Sequence, residues 1–273
     1  MKRFSSILIL VFSIILVSCE KVIHVDLATT APRLVIDASI DWLKNTTGHE
    51  QRIQLSTTTG YYDEAFPTVS GATIFITNSV NTVFSFPETA HAGEYLCTDF
   101  KPVIGETYKL TVMLNGMTYT ATETLIGTPE IDPAIIQNNA GGFAGDEIEV
   151  QFTYQDDGAQ NNYYMTSVKT NRIVYPQYFL ESDERYQGNK MVQFYSHEDL
   201  AKGDSLNIKL HGTSKRFFEY FTKILLAAGS DSGPFPTTPT AVKGNIINQT
   251  HPENTALGYF RLSEVTTRNY TVQ

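Results

Sequence analysis

The sequence predicts a mainly β protein, with an N-terminal immunoglobulin-like β-sandwich followed by a second β-rich domain carrying one packed helix. Three observations predict it. Short runs of alternating apolar and polar residues recur from residue 34 to residue 125, with turn residues between them. One stretch, near 214–228, has helical spacing instead. A Pro- and Gly-rich segment, with Gly127, Pro129, Pro133, Gly141, Gly142 and Gly145, separates the two halves.

The elements follow in order. Leu34, Ile36, Ala38, Ile40 and Trp42 share one face of a period-two run, with Asp37, Ser39 and Asp41 on the other, which is a half-buried strand. Further strands are expected at 52–57, 72–78, 82–86, 94–98, 107–114 and 117–125. The last two flank Asn115-Gly116, a pair that tolerates the positive φ of a tight hairpin turn. Tyr108, after the Gly105-Glu106-Thr107 turn, stands where a tyrosine corner would. In the second half, alternation resumes at Ile148, Val150, Phe152 and Tyr154. Strands are then expected at 163–170, 191–195, 205–210, 242–247 and 257–262. Thr213 or Ser214 caps a helix that ends at Ala228 before Gly229, and Phe217, Phe218, Phe221, Ile224 and Leu225 give it an apolar face to pack on a sheet.

The first residues carry an address. Lys2-Arg3 precede an apolar run from Ile7 to Val17, about eleven residues long and too short to span a bilayer. Leu16-Val17-Ser18-Cys19 then reads as a lipobox: an aliphatic residue, a tolerant position, a small residue, and a thiol to take the lipid. The expected organisation is a signal peptide over 1–18, a lipidated tether over 19–31, the sandwich over 32–126 and the second domain over 127–273. More than one acyl chain on Cys19, palmitate among them, would hold the protein stably on a membrane. The chain has 273 residues and a formal charge of −9. Removing Lys2 and Arg3 with the leader leaves 18 basic against 29 acidic residues, or −11. Such a balance argues against nucleic acid, which needs clustered Lys and Arg. Of the two cysteines, lipidation of Cys19 leaves Cys97 without an intrachain partner, and its strand-like setting suggests a buried small hydrophobe.

The quoted residues at both ends of the mature chain resemble a known family. They are the segment from Cys19-Glu20-Lys21 to Leu27, the segment from Pro32-Arg33-Leu34 to Ile40, Val242-Lys243-Gly244-Asn245 running to Asn248, and Ala256-Leu257-Gly258-Tyr259 running to Leu262. Gly71-Ala72-Thr73-Ile74 and Gly93-Glu94-Tyr95 fit it too. The chain is similar to the Bacteroidota outer-membrane lipoproteins of domain-of-unknown-function family 4249. That resemblance implies an outer-membrane location and a TonB-dependent receptor as neighbour. It implies no catalytic residue.

No reaction is legible. Asp231-Ser232-Gly233-Pro234 and Thr89-Ala90-His91 resemble segments of a serine protease, but Ser230 and Pro234 break the glycine pattern and His91 reads as a hairpin turn. There is no Gly-x-Ser-x-Gly and no phosphate loop. Six scattered histidines give no metal spacing, and Asp156-Asp157-Gly158 reads as a solvated turn rather than a calcium loop. No cofactor is expected. Tyr175, Tyr178 and Tyr186 sit beside charge and turn residues and are the expected exposed anchors for a glycan or peptide ligand; Tyr61, Tyr62 and Phe66 make a weaker case. The expectation is a non-catalytic accessory or binding subunit of a TonB-dependent uptake or surface complex, held to the outer membrane through Cys19. Its rivals are a hydrolase with a site between the domains and an adhesive surface protein. The periplasmic or cell-surface face is left open.

Overall fold

Alternation along the first strand places Ile36, Ala38 and Ile40 in a core and Asp37, Ser39 and Asp41 on the opposite face. The same physics builds the strands after it in the computed structural model, which describes residues 31–60, 63, 65–229 and 242–273. Of these, residues 32–59, 65–229 and 242–273 form one unit. Outside that unit, the Gly60 amide donates to the Asp63 carboxylate at 2.7 Å.

Seven strands make the sandwich: β1 (Leu34–Leu43), β2 (Gln51–Thr57), β3 (Thr73–Thr77), β4 (Val83–Phe86), β5 (Glu94–Cys97), β6 (Thr107–Leu114) and β7 (Met117–Thr124). The order β1-β2-β5 faces β7-β6-β3-β4 across a core that includes Ile36, Ile53, Tyr95, Phe84, Leu110 and Val112. Asn115 and Gly116 turn β6 into β7 with φ of 50° and 76°, the positive values of a type I′ hairpin. The buried Tyr108 hydroxyl donates to the Lys101 carbonyl at 2.7 Å and accepts from the Val103 amide at 3.0 Å. The tyrosine corner is therefore formed. Cys97 is buried, a free cysteine among the described residues. Burial pushes its thiol pKa up to about 11, so it is an inert core group.

The second half adds β8 (Ile136–Gly141), β9 (Glu147–Gln155), β10 (Tyr163–Thr170), β11 (Gln177–Ser182), β12 (Lys190–Ser196) and β13 (Ser205–Thr213). After these come α1 (Lys215–Ala227), β14 (Ile247–Asn248) and β15 (Leu257–Thr271). Strand β15 pairs parallel with β1 and antiparallel with β13, giving a seven-stranded sheet of order β11-β10-β13-β15-β1-β2-β5. Sheet β12-β9-β8 covers a second core around Val150, Phe152, Tyr164, Ile208 and Leu210.

The register puts both cores on one face of the long sheet. Ile40 lies beside Leu262, and Leu210 lies beside Thr266, so the even-numbered residues of β15 point toward both cores. Odd-numbered residues of β10, β13, β15 and β1 therefore share the other face, where α1 packs through Phe217 on Met165 and Tyr259. The expected partition at 126/127 falls where the chain leaves the first core, after Leu125, but Ile246, Ala256, Phe260 and Leu262 return to that core. Gly258 makes the re-entry possible. Its φ is +94°, and a Cβ there would stand 2.0 Å from the Ile36 carbonyl oxygen.

Three expectations about elements need correction. The strand expected at 242–247 is not formed; the two-residue β14 overlaps that range only at Ile247. In its place the Asn245 side-chain amide donates to the Phe260 carbonyl at 2.8 Å and accepts from the Phe260 amide at 2.9 Å, imitating a ladder pair. Strand β15 runs nine residues past the expected end at 262 because Ser263 to Thr266 are buried on both faces and show no alternation. Strands β8 and β11, at the edges of their sheets, had no expected counterpart.

Candidate functional site

The second face of the seven-stranded sheet carries a cleft of about 710 Å³. Its floor is built by outward residues of four adjacent strands: Val35, Asp37, Ser39 and Asp41 of β1, Tyr259 and Arg261 of β15, Asn207, Lys209 and His211 of β13, and Met165, Ser167 and Lys169 of β10. Its wall is aromatic, with Phe217, Tyr220 and Phe221 of α1 and Tyr178 of β11. The rings brace one another. Phe217 stacks on Phe221 with centroids 5.4 Å apart, Tyr178 meets Phe221 edge-on at 5.3 Å, and Tyr220 lies 4.7 Å from Tyr259. A polar floor with an aromatic wall suits a ligand that has both hydrogen-bonding and apolar surfaces.

Helix placement follows from its cap. Ser214 Oγ accepts from the Phe217 amide at 3.2 Å and donates to Glu123 Oε2 at 3.0 Å. The buried Tyr259 hydroxyl donates to the same oxygen at 3.1 Å. Gly229, with φ +79°, follows the last turn as the sequence predicts.

At the centre of the floor, Arg261 Nη1 lies 2.7 Å from Asp41 Oδ1 and donates to Ser263 Oγ at 2.6 Å. Its guanidinium stands 5.3 Å from the Phe217 ring centroid. Burial alone would raise the Asp41 pKa, but Arg261 and His211 override it and hold the carboxyl well below the usual range. Burial depresses the His211 pKa more than the attraction of Asp41 raises it. His211 Nδ1 is 3.4 Å from Asp41 Oδ1, and its Nε2 is 3.5 Å from Ser167 Oγ. The order Asp–His–Ser is that of a nucleophilic triad, yet both contacts are longer than working hydrogen bonds. Ser167 also lies mid-strand, paired with Tyr178 on one side and Lys209 on the other. Backbone amides there serve the sheet ladders, whereas acyl transfer needs a free pair aimed at the oxyanion.

The three tyrosines expected to form one surface are divided. Tyr178, 37 % exposed, lines the cleft. Tyr186, 55 % exposed, lines a separate hollow with Glu181, Asn189 and Lys190, and Tyr175, 77 % exposed, lies outside both. The cause is topological: Tyr178 is in β11, while Tyr175 precedes it and Tyr186 follows it in turns. Phe66 and His91 are exposed away from the cleft. Cys19, Tyr61, Tyr62 and Ser232 lie outside the described residues. Sequence reasoning missed Asp37, Asp41, Ser167, Lys209, His211, Tyr220 and Arg261 as site residues. Asp37 and Asp41 had been placed on the outward face of their strand, and that was the one available signal.

Asp156-Asp157-Gly158 also differs from expectation. Asp157 is exposed, but Asp156 is buried and accepts from the Tyr164 hydroxyl at 2.7 Å and the Gly188 amide at 2.8 Å. The turn is thus fastened from inside. Buried Asp183 is its neighbour; burial raises the Asp183 pKa, and the negative charge of Asp156 raises it further. With Asp156 already filled by donors, the pair makes a poor cation site and a good place for one shared proton. Among the described residues, no three His, Cys, Asp or Glu side chains converge to hold a metal ion.

Fold and site together define a mainly β protein in which an immunoglobulin-like sandwich shares its long sheet with a second β layer and presents an aromatic-walled polar cleft. The chain belongs to the family described as Domain of unknown function (DUF4249), whose model matches residues 20–269. A comparison with curated proteins finds no match. Solved structures with similar segments include a two fibronectin type-III domain segment from chicken tenascin, at 10% identity and TM-score 0.23, covering 66% of this chain and 90% of that one. A DUF4785 family protein from Legionella pneumophila is similar at 9% identity and TM-score 0.27, covering 66% and 52%. Red sea bream transglutaminase is similar at 9% identity and TM-score 0.25, covering 68% and 29%.

Proposed function

We propose that the protein is a non-catalytic binding lipoprotein whose ligand site is the cleft on the outer face of the seven-stranded sheet. The observation that carries this reading is the cleft itself: polar side chains of four strands face an aromatic wall, and their backbone groups are committed to the sheet. Such a surface can hold a ligand but offers no oxyanion site for acyl transfer. The short apolar leader ending in Leu16-Val17-Ser18-Cys19 supports lipid attachment at Cys19, and the family match begins one residue later. A lipid anchor with a binding cleft suits an accessory subunit beside a TonB-dependent receptor in the outer membrane of a Bacteroidota cell.

The test is co-purification from native membranes, comparing the wild-type protein with a Tyr220→Ala, Asp37→Asn variant. Retention of receptor with loss of bound ligand in the variant supports the reading. Equal ligand recovery from both proteins contradicts it. The Asp41, His211 and Ser167 row favours a second reading, a serine hydrolase. Covalent labelling by a fluorophosphonate, abolished by Ser167→Ala, would establish that reading in place of the first.

A further inference from the structure

Contacts within the protein already occupy two of the cationic side chains that line the cleft. Arg261 is paired with Asp41 at 2.7 Å, and Lys169 Nζ donates to the carbonyls of Ile173 and Val174. This leaves one carboxylate, Asp37, which accepts only from Ser39 Oγ at 2.7 Å, and one ammonium, Lys209, with no partner among the described residues. Carbonyls satisfy the hydrogen bonds of Lys169 but not its charge, so Arg261, Lys169 and Lys209 stand against Asp37 and Asp41; a floor with both signs interspersed and a formal excess of one positive charge makes no strong field for an anion or a cation.

The donors and acceptors left over belong to side chains. Neither the Tyr178 nor the Tyr220 hydroxyl has a hydrogen-bond partner among the described residues. Both tyrosines line the same cleft as Asp37. Carboxylate, phenol and ammonium groups recognise hydroxyls and ether oxygens well. Tyr220 and Phe221 supply flat apolar faces beside them.

Other ligand classes fit less well. An extended peptide is captured by main-chain pairing at a sheet edge, whereas β10, β13, β15 and β1 are all interior strands. An amphipathic helix or an acyl chain needs a continuous apolar groove, whereas Asp37, Asp41, Lys209 and Arg261 interrupt this floor with charge. We propose that the cleft binds an uncharged oligosaccharide, with sugar ring C–H faces against Tyr178, Tyr220 and Phe221 and with Asp37 accepting from sugar hydroxyls. This rests on the reading of the cleft as a binding site. The volume of about 710 Å³ is within the range of roughly 300–1,000 Å³ usual for small-ligand sites.

The experiment is a glycan array bearing neutral glucans, mannans, galactans and xylans beside uronic-acid and sialylated glycans, with mixed peptides as a further panel. Positives are followed by calorimetric titration of the purified protein. Binding to neutral members is expected, weakened about tenfold or more in Tyr220→Ala and in Asp37→Asn. Asp37 is exposed, so its variant is expected to fold, which circular dichroism checks. Tyr220→Phe, which keeps the ring, is expected to lose less than Tyr220→Ala. Binding only to acidic glycans or peptides, still lost in these variants, would overturn the ligand class while leaving the cleft as a binding site. Neutral-glycan binding that both variants leave intact would overturn the assignment to this cleft. An array and peptide panel with no positives would overturn both.

Discussion

Ser214 Oγ donates to Glu123 Oε2 across 3.0 Å, and this contact fastens the start of the helix to a strand of the sandwich. Because the Tyr259 hydroxyl uses the same oxygen, one carboxylate sets both the helix and part of the cleft floor. Glu123→Ala leaves these donors without their acceptor. The expected loss is about 1–3 kcal/mol, read as a lower urea midpoint. Glu198→Ala, at an exposed carboxylate with no such contact, is expected to leave the midpoint unchanged.

Two carboxyls give opposite pH dependences. Asp204 has its pKa lowered to about 2, chiefly by hydrogen bonds from Arg172 and Asn171. Its contribution is present above the ordinary value near 3.8 and is lost as pH falls toward 2. Asp204→Asn should therefore flatten acid destabilisation in that window. Asp183 has its pKa raised, so its contribution is full below the ordinary value and is lost as pH rises through the folded one. Asp183→Asn keeps the acceptor for the Asn162 amide, which lies 2.7 Å from Asp183 Oδ1, and carries donors at every pH. Relative to wild type it is expected to gain stability as pH rises. Denaturant melts between acid and mildly alkaline pH check both signs.

The divided tyrosines make a sharp comparison. Tyr178→Ala is expected to weaken cleft binding about tenfold or more, because its ring is part of the wall. Tyr175→Ala and Tyr186→Ala are expected to leave affinity unchanged, since both side chains lie outside the cleft. Calorimetric titration of the three single variants with one ligand reads the difference.

Local signals carried much of the fold. Asn115-Gly116 announced its hairpin because both residues must take positive φ, and Ser214 announced the helix because its hydroxyl answers an otherwise orphaned amide. Non-local pairing was opaque. Nothing between Ser263 and Thr271 marks β15 as the central strand joining β1 to β13, since burial on both faces erases alternation. Strand β8, with Gln137, Asn138, Asn139 and Gly141, is too polar to register as a strand. The cleft stayed hidden for the same reason: Asp41, Ser167, His211 and Arg261 lie far apart in sequence and meet only through the order of the sheet.

Cys19→Ser is expected to abolish lipid attachment. Metabolic labelling with a clickable fatty-acid analogue checks it: label in the wild-type protein and none in the variant is the expected outcome, while equal label in both places the anchor elsewhere.

The central claim is that ligand is held on the outer face of the seven-stranded sheet. Amide chemical-shift mapping of the isotope-labelled protein, titrated with the neutral oligosaccharide that binds best on the array, tests it most directly. Shifts concentrated at Asp37, Tyr178, Lys209, Tyr220 and Phe221 are expected, with the outer face of sheet β12-β9-β8 unmoved. Shifts centred on that sheet, or on the hollow at Tyr186, would contradict it.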